Sequence, residues 1–142
     1  MKPPNRGVTS SRGTHEPVTR AMLLQCYNAL DAFRRGYGSR ELFTTLGRYL
    51  LVAEELCRLG HQSDEMGRIA AAQVAVVRLD ATEKQDGGWL VDDTDYSRLR
   101  VAFVALDEQL SVASLDDIAK AETNIVEGLL GAEHKPVVVE AM

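Results

Sequence analysis

Apolar side chains return every three or four positions in five long stretches of this chain, and the strongest turn signals fall between those stretches. That spacing matches the turn of an α-helix, so each stretch carries one stripe that water disfavours and a neighbouring helix can cover. The links between stretches are short, about two to eight residues, which favours antiparallel neighbours. The pattern predicts an all-α fold, an up-and-down bundle of four to five helices with flexible N- and C-terminal tails.

In the first stretch, Pro17 suits an opening turn, Leu23, Cys26, Tyr27, Leu30 and Phe33 form the stripe, and Gly36 is the stop. Ser39 is the expected N-cap of the second, whose stripe Leu42, Phe43, Leu46, Tyr49, Leu50, Ala53, Leu56 and Cys57 runs to Gly60. Ser63 is read as the cap of the third, with Met66, Ile69, Ala70, Val74, Val77 and Ala81 inward and Val76 alongside. The run Ala70-Ala71-Ala72 makes this helix thin, which places it centrally or at a subunit interface. After the break Gln85-Asp86-Gly87-Gly88, Trp89 is expected to plug the end of the bundle, and Asp92-Asp93-Thr94-Asp95 to cap a fourth helix carrying Tyr96, Leu99, Ala102, Phe103, Leu106 and Leu110. Ser114 with Asp117 reads as a capping box for a fifth helix that ends at Gly131. The domain reading is a basic disordered tail over 1–14, a helical bundle over 15–131, and a tail or docking arm over 132–142.

With 45% apolar and 26% charged residues in 142, the chain is long enough for one domain with a real core. The aromatic share of 6% and the abundance of Ala and Leu favour helix over sheet. Charge is uneven. Residues 1–78 carry ten Arg and one Lys against seven carboxylates, whereas 79–142 carry five bases against fourteen acids. Such a split permits faces of opposite sign that attract each other between copies, or a local basic surface hidden by the net charge, or a bundle in which the two sets of charges neighbour one another. No stretch is apolar enough to span a bilayer and the first residues lack a signal peptide's apolar core, so the expected compartment is the cytoplasm.

Chemistry is sparse. Cys26 and Cys57 lie on apolar stripes, with no Cys-x-x-Cys and no histidine at ligand spacing, so they read as small buried hydrophobes. The sequence contains no Glu-x-x-His. Glu54 and Glu55 fall on the second helix, but Glu55 lies off the apolar stripe, and His61 with Glu65 sits in a polar turn, so no metal and no cofactor are expected. His15, His61 and His134 lie in tails and a turn, away from both thiols, and Gly87-Gly88 is followed by acidic residues that would repel a phosphate. The chain is therefore read as no enzyme. Arg34, Arg35 and Arg40 bracket the first turn and are the candidate nucleic-acid contacts, although they also suit the negative end of a helix dipole. Apolar residues spilling beyond the stripes, Val76, Val101 and Val104, together with Trp89, are the candidate interface.

The run Ala29-Leu30-Asp31-Ala32-Phe33-Arg34-Arg35-Gly36-Tyr37-Gly38-Ser39 and the block from Gly88-Trp89-Leu90 to Leu106-Asp107-Glu108-Gln109-Leu110-Ser111-Val112-Ala113-Ser114 resemble small helical proteins encoded on proteobacterial phages, plasmids and integrated elements. The resemblance spans roughly residues 23–115, and its motifs are structural. It implies an accessory protein acting on a host or element-encoded partner. The functional expectation is a non-enzymatic protein-interaction module, itself a homodimer that also binds a protein partner. Two alternatives stand beside it: a nucleic-acid-binding regulator, and an inhibitor of a host defence system in the manner of anti-CRISPR proteins.

Overall fold

The computed structural model describes residues 16–140, and side chains as far as Gly128. The expected tail over 1–14 and the side chains of the expected C-terminal arm lie outside the described residues. Five α-helices follow in order: α1 (Glu16–Arg34), α2 (Arg40–Arg58), α3 (Met66–Asp86), α4 (Asp93–Val112) and α5 (Leu115–Glu140), with one short 3-10 turn at Ser63–Glu65 before α3. There is no strand among the described residues, and no described helix is long and apolar enough to cross a membrane. α1 to α4 close a ring in which each packs on the next and α4 returns to α1, while α5 lies outside that ring against α2.

Several helix ends follow from local chemistry. Ser39 Oγ accepts a hydrogen bond from the Leu42 amide (3.2 Å), Asp92 accepts from the Asp95 amide (2.7 Å), and Ser114 accepts from the Asp117 amide (3.0 Å), each satisfying a donor that the first turn leaves without a helical partner. Gly36 adopts a left-handed conformation (φ +84°), which lets the Tyr37 amide reach back to the Ala32 carbonyl at 2.7 Å and close α1. Ser63 departs from its expected role. Its hydroxyl donates to the Cys57 carbonyl (2.9 Å) and so ties the turn to the end of α2, and α3 begins three residues later without a side-chain cap. α5 continues to Glu140, beyond the Gly131 stop, since glycine ends a helix only where the chain turns at it.

The core is a continuous cluster built around Phe33, Leu46, Leu50, Leu56, Ile69, Leu99, Phe103, Leu106 and Leu110. α2 is the central helix and touches all four others, which is why it buries residues on two sides, Leu46, Leu50, Ala53 and Cys57 on one row and Tyr49, Val52 and Leu56 on the next. Of the two places expected for α3, the bundle centre is corrected, since α2 occupies it. The inward face of α3 is also rotated, with Ile69, Ala72, Ala75, Val76 and Leu79 buried, whereas Val74 and Val77 are exposed. Two apolar rows run side by side along this helix, and the one that ends on the large Leu79 offers more area to α2 and α4.

Candidate interaction surface

At one end of the bundle, Trp89 sits against Phe33 (ring centroids 5.6 Å, edge-on) and Phe43 (5.6 Å, tilted). The fit is close enough to dictate Gly38, where a Cβ would fall 2.2 Å from the Phe33 ring and 2.8 Å from Trp89 Cβ. The Val91 amide donates to the Phe33 carbonyl (3.3 Å), pinning the link that carries the indole. Trp89 therefore has the geometry of the expected plug.

The three arginines proposed for nucleic acid surround this end, and each is engaged by its own chain. Arg34 lies over the Tyr96 ring at 4.3 Å, and Arg35 pairs with Asp31 at 3.0 Å. Arg40 lies 4.8 Å from both the Phe43 and Trp89 ring centres and pairs with Asp80 (3.0 Å) and Glu83 (3.3 Å). The three guanidinium groups are thus engaged by separate acids and rings of their own chain.

At the opposite end, folding brings the distant Asp117 to Cys57 and His61, which are neighbours in the chain. His61 Nε2 donates to Asp117 Oδ2 (2.8 Å), joining the α2–α3 turn to the first turn of α5. A nucleophile would need an ionisable, accessible sulfur. Cys57 instead is buried, donates its S–H to the Gln62 carbonyl (3.3 Å), and has its pKa raised by burial. Cys26 is still less reactive, its thiol pushed up to about 12 by burial. Gln109 ties the corner together. Fully buried on α4, it donates through Nε2 to the Ala53 carbonyl and the His61 carbonyl, both at 3.0 Å, and contacts Cys57 Sγ at 3.3 Å. Nothing in the sequence pattern singled out this glutamine, because an isolated polar residue on an apolar stripe has no periodic signature.

The candidate interface residues separate. Val76 is corrected: at 7% exposure it belongs to the core, on the row that ends at Leu79. Trp89 is half-buried among aromatic rings as described. Val101 and Val104 are 41% and 45% exposed and line a shallow groove of about 280 Å³ between α3 and α4. Glu65, Arg68, Ser97, Arg100, Ala105 and Glu108 complete it. The half-buried Ala71 of α3 lines a smaller hollow next to it with Arg68, Ser97 and Val101.

A second concavity, absent from the sequence reading, opens between α2 and α5, where Phe43, Gly47, Leu51, Ile125 and Val126 line about 420 Å³. Its outer edge holds the Arg48–Glu122 ion pair (3.0 Å). The only sequence signal for it was Gly47 within an apolar helix, where a Cβ would meet nothing within 4 Å. Among the described residues, no group of three or more His, Cys, Asp or Glu is placed to hold a metal ion.

No protein-family model, no curated protein and no solved structure matches this chain.

Proposed function

We propose that this chain is a non-enzymatic interaction module that works by presenting its α3–α4 face to a protein. The observation that carries this reading is the groove of Val101 and Val104, flanked by charges of both signs. Apolar centres inside a polar rim are what protein partners bury. The inert surroundings of both thiols, and arginines already held by their own chain, support this reading over a catalytic or nucleic-acid-binding one. In keeping with its resemblance to mobile-element proteins, the module would serve as an accessory that modifies the action of a host or element-encoded partner.

The test pairs affinity capture from source cells with a surface variant. Val101→Asp with Val104→Asp should leave the helical circular dichroism spectrum unchanged, because both side chains already meet water. It should also abolish whatever the wild type retains. Equal retention by the wild type and the variant would overturn the assignment of function to this face.

A further inference from the structure

The α3–α4 groove is charged along its length in a definite order. α3 runs against α4, as the Arg78–Asp95 ion pair (2.9 Å) at one end and the shared lining of Arg68 with Ser97 and Val101 further along both require. Following α4 from its start, the groove is first basic, with Arg98, Arg100 and Arg68. It is then apolar, at Val101, Val104 and Ala105, and finally acidic, at Glu65 and Glu108. Some of these charges are matched locally. Arg98 pairs with Asp95 (2.8 Å) and Arg68 with Glu65 (3.1 Å). Arg100 and Glu108 hold no salt bridge among the described residues, and eight residues of helix put about 12 Å between them, too far to pair with each other.

We infer that the α3–α4 face binds a second copy of this chain, with α4 crossing its twin in antiparallel register at Val104. The inference rests on the reading of this face as an interaction surface and names its partner. Arg100 and Glu108 stand four residues on either side of Val104. An antiparallel copy centred there therefore sets Arg100 level with Glu108 of the second copy, and the two-fold axis repeats the contact in reverse. The valines at positions 101 and 104 of both copies fill the space between the pairs. A parallel arrangement would set Arg100 on Arg100 and Glu108 on Glu108, so charge selects the antiparallel one. The size is adequate. α3 and α4, with 21 and 20 residues, are each about 30 Å long and together about 20 Å wide. That footprint of roughly 600 Å² approaches the share of about 800 Å² that one partner gives to a standard interface.

Sedimentation velocity on the full chain tests this. The wild type should sediment as a dimer at tens of micromolar and loosen as salt rises. Arg100→Glu or Glu108→Arg alone should each weaken the dimer about tenfold or more, since each places like charges together twice. R100E and E108R combined in one chain should recover most of the lost affinity, because opposite charges then face each other again. Val104→Cys should oxidise to a covalent dimer, and Val18→Cys, on α1, should not. If a single charge variant loses its helical spectrum, the Val104→Cys cross-link decides by itself. A wild type that stays monomeric at about 0.5 mM, or a dimer indifferent to both charge reversals, would overturn the inference. A monomer that still captures a foreign protein through Val101 and Val104 would remove the second copy and leave the proposed function standing.

Discussion

Two sets of arginines on this molecule look alike in sequence and end in opposite situations. Arg40, beside the indole plug, lies against the Phe43 and Trp89 rings and pairs with Asp80 and Glu83. Arg100, on the outer side of α4, faces a groove and has no salt bridge among the described residues. The first is engaged with acids and rings of its own bundle, whereas the second lines a surface groove. An arginine's function here depends on which acids and rings folding brings within reach.

The largest expected effect belongs to the plugged end. Trp89→Ala removes an indole packed on two phenyl rings and should cost about 3 kcal/mol in chemical denaturation. Gly38→Ala should lower the melting temperature in the same direction, because Phe33 or Trp89 must move to admit the methyl group. By contrast, Val104→Asp should leave the stability of the monomer within about 0.5 kcal/mol of the wild type. Equal losses at the two sites would erase the distinction between them.

A middle effect is expected on acidification. Asp95 is buried and accepts from Arg78 Nε (2.9 Å) and Arg98 (2.8 Å). The Arg78 hydrogen bond is the main reason its pKa lies below the ordinary 3.8, with burial opposing and Arg98 assisting. A carboxyl depressed in the folded state contributes stability that is complete above its unfolded pKa and is lost as pH falls through the folded one. Melting temperature should therefore hold down to about pH 4 and fall below it, and Asp95→Asn should flatten that fall. An unchanged acid limb in the variant would show that Asp95 does not contribute to it.

The smallest effect concerns the arginines first read as nucleic-acid contacts. Arg35→Ala removes one exposed pair with Asp31 and should change stability by less than about 0.5 kcal/mol. A DNA or RNA titration at two salt concentrations should show no steep loss of affinity that Arg34→Ala and Arg35→Ala relieve. A slope that does flatten in those variants would move the arginines of the plugged end from internal duty to ligand binding.

Much of the fold was legible because its signals are local. Ser39, Asp92 and Ser114 cap the helices the sequence assigned to them, and the need for such a cap arises within a single turn. Trp89 was legible as a plug because a large amphipathic ring just before a helix packs down on it. The inward face of α3 was not legible. Val74 and Val77 lie on one apolar row and Val76 and Leu79 on another, and periodicity gives both rows equal standing. Gln109 and the His61–Asp117 pair were also out of reach, because their partners lie dozens of residues away.

The sequence by itself determined that this chain makes helices, where most of them begin, and that its thiols belong to apolar rows, since helix period, capping and burial preference act over a few residues. Tertiary structure alone decided which row of α3 is covered, that α2 stands at the centre with α5 outside the ring, and which charges pair across helices. Those outcomes depend on competition among surfaces distant in sequence, and the faces that bury the most apolar area and match the most charge prevail.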